Sequence, residues 1–396
     1  MLYALTWYLW NWNDSDQALV AFAWLKVMKH AFPFYYLSAL KMAGARIVLY
    51  VFLAAFVWVN VENAFVSCAL PPELQRKIAK INKKGPYIGI IIPNDFEINP
   101  LLPNPSYVPS STIIDFAGKR FRFGAIGGKP VILVMTGLSL INAGITTQLL
   151  LSFFNIEGVV HYGTAGNANP SLHIGDVVIP EFWAHLTLWN WQRYGQGPDD
   201  MLSLEEQGDF TREIGYLRFA DFTSNISADS EVDNQLNNIW YQPEEIFPID
   251  GIPEKRQHAF WVPVDSKYYE IAKKLQDVEL SRCVNATTCL SVQPKVSLVP
   301  TGISHSLYLD NAAYTRFLFK KFRASPVDME SASVALVCLQ QRVPFLIIRS
   351  LYELGGGGST ETDHPELYLS LASSNSVAVV VEFVKLLSLH ANRATI

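Results

Sequence analysis

From residue 86 onward, short and continuously apolar runs alternate with stretches whose apolar residues recur at helical spacing, and this alternation restricts the fold more than any other feature. The runs YIGIII (87 to 92), PVILVMTG (130 to 137), IEGVVHYGTAG (156 to 166), DVVIP (176 to 180), SLVPTGIS (297 to 304) and PFLIIRSL (344 to 351) have the length of strands. They lack the polar alternation of a strand with one wet face, so both faces are expected to be buried. Between them the spacing predicts helices over residues 142 to 154, with Asn142 as N-cap, 265 to 279, opened by Asp265, 328 to 342 and 375 to 390. Strands covered on both faces imply an α/β three-layer sandwich around a mixed, largely parallel central sheet. Residues 183 to 262, aromatic and acidic, break the rhythm and read as a long insertion in one domain running from 70 to 396.

The first 70 residues do not follow this pattern. Residues 47 to 61 are wholly apolar but for Asn60, preceded by Lys41 and Arg46 and followed by the small residues Ala64, Ser67 and Ala69, which is the arrangement of a secretory signal peptide. The run is shorter than the ~20 residues of a membrane-spanning helix. With initiation at Met42, residues 42 to 69 are the expected signal peptide, and residues 1 to 41, which carry Trp7, Trp10, Trp12 and Trp24, an over-extended reading of the gene. A signal anchor held in the membrane is the alternative. Cleavage would send the chain into the secretory pathway, to the cell exterior or a vacuole, with no stable membrane association. The sequons at Asn225 and Asn285 and the pair Cys283 and Cys289, which flanks the second sequon, agree with a glycosylated chain carrying a local disulfide. The cysteine spacing is not that of a zinc site, and no metal is expected. A net charge of −5 with no basic stripe argues against a nucleic-acid partner.

Ligands of parallel sheets collect beyond the carboxyl ends of strands. There the sequence places Asp95 and Glu97 after the first run, Thr164, Ala165 and Gly166 at the end of the third, Asp328, Met329 and Glu330 ahead of a predicted helix, and Glu353 at the end of the last run. Each has a plain structural explanation, either a tight turn or acids at a helix start. Three strand ends each offering a carboxylate nonetheless suit hydroxyl recognition and acid–base chemistry. Gly355 to Gly358 precede Ser359 without the lysine of a phosphate-binding loop and read as a flexible segment. Trp183, Trp189 and Trp191 offer a further reading, a sugar-binding surface, although such rings are more often core.

Across roughly residues 72 to 390, GTAG with GDVVIP and DMES resembles the nucleoside phosphorylase and nucleosidase superfamily; WNWQRYG, YQPEEIFP and DNAAYTRFL resemble its bark and vegetative storage protein branch from plants. The resemblance implies cleavage of the N-glycosidic bond of a purine or cytokinin nucleoside by a homo-oligomer, with no cofactor beyond inorganic phosphate where phosphate is the co-substrate. It implies that Glu330 accepts hydrogen bonds from ribose hydroxyls and Met329 packs under the sugar. Thr164 to Gly166 would border the base, His305 would lie over it, and Thr136 and Gly137 would belong to the substrate contacts. Glu97 would activate water and Glu353 would protonate or hold the purine. Arg120, Arg122, or Thr136 with Ser139, are the candidate phosphate contacts. Where the family shows Ser-Asp, this chain has Tyr352-Glu353. Misplacing a proton donor by ~1 Å costs on the order of 10²-fold, so a catalytically impaired nitrogen store with a vestigial pocket is the rival expectation.

Overall fold

A computed structural model describes residues 70 to 191, 211 to 218, 238 to 354 and 365 to 393. The expected signal peptide, the Asn225 sequon and Gly355 to Gly358 lie outside the described residues. The chain divides into two compact units, 1 to 75 and 76 to 396, and the sheet belongs to the second.

Helix α1 (Pro72–Asn82) precedes β1 (Tyr87–Ile92) and the short α2 (Asp95–Ile98). Strands β2 (Tyr107–Phe116), β3 (Lys119–Ile126) and β4 (Lys129–Met135) lead to α3 (Leu140–Phe153), β5 (Ile156–Asn167) and β6 (Val177–His185). A three-stranded sheet follows, made of β7 (Trp189–Trp191), β8 (Tyr216–Arg218, after α4, Thr211–Ile214) and β9 (Asn238–Tyr241). The hairpin of β10 (Glu244–Ile246) and β11 (Gln257–Ala259) and the short β12 (Val262–Pro263) come next. The chain closes with α5 (Ser266–Ala272), β13 (Val296–Ser304), α6 (Ala312–Phe322), β14 (Ala324–Asp328), α7 (Ser331–Gln341), β15 (Phe345–Leu354) and α8 (Pro365–Arg393).

The three-layer α/β arrangement expected from the sequence is present, around a mixed sheet of ten strands. Strand β1 lies parallel to β4 and β5, β5 parallel to β15, and β13 parallel to both β6 and β14. Antiparallel pairs join β14 to β5, β15 to β6 and β12 to β6, and at one edge β2, β3 and β4 form an antiparallel meander. Its two-residue turns place Ala117 and Gly118, then Gly127 and Gly128, at positive φ, the geometry that matches the twist of a hairpin. Strand β2 is mostly exposed, so it carried no continuous apolar run to reveal it. Strand β1 is buried at every position, as its sequence implied. Helix α8 contains a stretch, Tyr368–His390, long and apolar enough to cross a membrane. It packs instead on β15 and β5, burying Val380, Phe383 and Val384.

Three local expectations change. Helix α3 begins at Leu140 with Ser139 in the N-cap position, and Asn142 lies inside the helix, donating from Nδ2 to the Leu138 carbonyl at 2.7 Å. Helix α7 begins at Ser331, so Asp328 ends a strand rather than opening the helix. Strand β6 runs on to His185, so the irregular region starts later than residue 183. Asp265 does cap α5, accepting from the Tyr268 amide at 2.9 Å.

Candidate active site

The carboxyl ends of β1, β5, β14 and β15 converge on a cavity of about 330 Å³. Its wall carries Glu97, Thr164 to Gly166, Met329, Glu330 and Glu353, together with Tyr308 and Tyr352. Each acid reaches it from a different segment: α2, the turn between β14 and α7, and the end of β15.

Under one side of the cavity lies a buried charge cluster built on Arg349, which is fully enclosed within β15. Its Nε meets Asp328 Oδ2 at 2.7 Å, and a terminal nitrogen lies 3.6 Å from Glu330 Oε2. The Ser331 hydroxyl accepts from the guanidinium at 3.0 Å and donates to Asp328. Asp328 also takes the Ser304 hydroxyl at 2.5 Å and the amides of Glu330 and Ser331 at 3.2 Å. Every oxygen of that carboxylate is therefore matched, as a buried charge requires.

His161 in β5 completes the cluster. Its Nδ1 lies 2.9 Å from the Ile91 carbonyl, which can only accept, so the ring proton sits on Nδ1. The bare Nε2 then accepts from Arg349 Nη2 at 2.5 Å. Burial and the adjacent guanidinium hold His161 well below its usual pKa, as this neutral tautomer requires.

Glu97 is held on three sides. Oε1 accepts from the Thr164 amide at 2.7 Å and the Thr164 hydroxyl at 3.0 Å, while Oε2 accepts from the Asn94 amide at 3.1 Å. One guanidinium faces Asp328, Glu330 and Glu97, so the cluster favours uptake of a proton. Burial pushes Glu97 up to about 7, with Glu330 adding to the rise and Arg349 and Thr164 opposing it. Burial likewise raises Glu330, which accepts from the Ser139 amide at 3.0 Å. Ser139 takes φ 94° to present that amide, an unfavourable backbone angle for a residue with a Cβ.

The opposite side of the cavity is built differently. Glu353 Oε2 accepts from the Tyr308 hydroxyl at 3.0 Å, and that hydroxyl lies 3.0 Å from the Tyr352 hydroxyl. Burial raises the Glu353 pKa, hydrogen bonds from Tyr352 and Tyr308 pull it down, and Asp310 raises it again. Gly166 of β5 faces this carboxylate with backbone alone, so nothing from that strand crowds it.

Several expected contacts stand elsewhere. His305 is fully buried behind the wall, against the Tyr314 ring, and is pushed down to about 3 by burial and by His185. Its near neighbour Tyr308 lines the cavity instead. Thr136 and Gly137 are set back from the wall, where Leu138 takes their place. Arg120 turns outward to Asp115 at 2.6 Å, and neither it nor Arg122 reaches the cavity. Trp183 is buried in β6 against Gly302, which leaves no common surface of three tryptophans for a sugar. Cys283 and Cys289 are bonded, closing the exposed loop that bears Asn285. Sequence reading missed Arg349, His161 and Tyr308. The first two interrupt apolar strands with a polar group, which was a usable signal; Tyr308 gave none.

The match to the family model described as Phosphorylase superfamily spans residues 87 to 385. Bark storage protein A of Populus deltoides is 30% identical over 79% of this chain and 92% of its own length. The 5'-methylthioadenosine/S-adenosylhomocysteine nucleosidase of Tolumonas auensis is 27% identical over 69% of this chain and 88% of its own. Among solved structures, the corresponding nucleosidase of Colwellia psychrerythraea in complex with adenine matches with a TM-score of 0.49 and 20% identity, covering 76% of this chain and 95% of that one. With three carboxylates facing one cavity at the strand ends, and the family match running from β1 into α8, this chain belongs to the phosphorylase superfamily.

Proposed function

We propose that the cavity binds a purine or cytokinin nucleoside and that the chain cleaves its N-glycosidic bond with water. The observation that carries the reading is the placement of Glu97, Glu330 and Glu353 around one cavity of about 330 Å³, large enough for a small ligand. Glu330, fixed by Ser139 and Arg349, accepts from the sugar hydroxyls while Met329 supports the ring. Bond breaking builds positive charge on the sugar, which the surrounding acids stabilise, and negative charge on the departing base. Glu353 in its protonated form donates to a ring nitrogen of the base. Glu97 takes a proton from the attacking water; at about 7 its pKa suits a base working near neutrality.

Water is favoured over phosphate because no Lys or Arg is found among the described residues of the wall, and three acids face the space a phosphate dianion would enter. The test is release of free base from adenosine, inosine and a cytokinin riboside, with and without phosphate, by the native chain and by Glu330→Gln. Phosphate-independent release that disappears in Glu330→Gln is expected. Release that requires phosphate would replace hydrolysis with phosphorolysis. One observation favours a second reading, an impaired enzyme kept as a nitrogen store: Tyr308 and Tyr352 already engage the acid that must serve the base. No release by the native chain, with activity appearing in Glu353→Asp, would support it.

A further inference from the structure

Tyr352 stands immediately before Glu353 on β15, and Tyr308 lies on the segment joining β13 to α6. Their rings approach the same carboxylate from two parts of the chain. Both phenols are proton donors that ionise only at high pH, and both are raised further by burial. Tyr308 is nevertheless 63% exposed, so the pair connects a carboxylate in the cavity wall to solvent. The titratable groups facing Glu353 are few: Tyr308 and Asp310 from that segment and Tyr352 from its own strand, with Glu97, Asp328 and Glu330 elsewhere on the same wall.

We propose that Tyr308 and Tyr352 are positioning residues that aim Glu353 into the cavity and set the pH at which it carries a proton, making base protonation a step favoured in acid. A phenol that donates to a carboxylate stabilises the ionised form and opposes protonation. Asp310 and the low-dielectric wall act in the opposite direction. The balance differs from that at Glu97, whose donors are two backbone amides and one hydroxyl, so side-chain replacement reaches only a part of its hydrogen bonding. The two phenols are thus the more adjustable part of the site. Loss of either hydroxyl frees Glu353 to take up its proton at higher pH, and also frees its side chain to turn from the cavity. The first effect extends the active range upward; the second lowers the turnover reached at any pH.

The inference rests on the nucleoside-cleaving reading for its consequence in catalysis, but its central measurement does not. The carboxyl carbon of Glu353 is followed by 13C NMR in the ligand-free protein labelled at glutamate, with Glu353→Gln to assign the signal. Tyr352→Phe and Tyr308→Phe keep both rings in place, and each is expected to move the midpoint upward by about one pH unit. Tyr216→Phe, which alters a half-exposed ring outside the cavity, is expected to leave the midpoint where it was. A midpoint unchanged or lowered in both cavity variants overturns the proposal, whatever the chain does to nucleosides. If base is released, its pH profile should move with the NMR midpoint and kcat should fall more than KM rises. An NMR shift without any base release would support the tyrosine pair and reject the proposed function, so the two failures are separable.

Discussion

The two sides of the cavity solve the problem of holding a carboxylate by opposite means. On the side of Glu97 and Glu330 the acids are almost wholly buried, and their partners are a guanidinium, the Thr164 hydroxyl and backbone amides. On the side of Glu353 the carboxylate is partly exposed and its partners are two phenols, one of them largely in solvent. Buried charges tolerate little change, because removing one partner leaves another uncompensated. Partly exposed ones can drift in sequence at small cost to the fold. This contrast parallels the expectation drawn from the resemblance, in which Glu97 and Glu330 match the family's acids and Tyr352-Glu353 departs from its Ser-Asp.

The contrast would break most visibly at Arg349. Arg349→Met should destabilise the fold by about 3 to 5 kcal/mol, read as a lowered thermal midpoint, since Asp328 and Glu330 lose their counter-charge. An equivalent loss from Glu353→Gln would abolish the distinction between the sides; that variant is expected to unfold close to the native midpoint. Next in size is Glu330→Gln, which keeps the acceptor for the Ser139 amide but loses the negative charge. Base release should fall about 10³-fold.

Glu97 gives an effect of pH. In the folded chain its pKa is pushed up to about 7, from an ordinary value of 4.5. The folded state therefore holds an extra proton between those values, so the stability Glu97 contributes is full below about 4.5 and is lost as pH rises toward 7. The size is about 3 kcal/mol, and denaturant unfolding at pH 4.5 and pH 8 should show it in the native chain and not in Glu97→Gln. Hydrolysis that uses Glu97 as base should rise across the same window. The smallest effect belongs to Thr164→Val, which removes the hydroxyl bond to Glu97 but keeps the amide one. It should move the rising limb of the rate profile up by about half a pH unit.

The sequence showed the fold wherever a strand was buried on both faces, because β1, β4, β5 and β15 leave continuous apolar runs. The β2–β3 meander escaped because one face is wet and its first turn is Ala-Gly, without the Asn or Asp that usually marks such a turn. The acids of the site were visible as carboxylates at strand ends. Their organisation was not, since Arg349 and His161 lie within strands that read as apolar core and meet only when β5 and β15 pair in register. His305 illustrates the reverse error. A polar residue near the right strand end was expected over the base, and the chain buries it against Tyr314 while Tyr308, three positions on, faces the cavity.

Gly163 faces Arg349 across that pairing. A side chain there would overlap the Arg349 guanidinium and Glu97 Oε1, which occupy the space where a Cβ would stand. The charged groups thus depend on a missing carbon. Replacing Gly163 with alanine should disarm the site as surely as deleting an acid, while leaving every ionisable residue in the sequence intact. Descendants that had lost activity by this route would still display all the expected carboxylates, and only an inspection of position 163 would expose them.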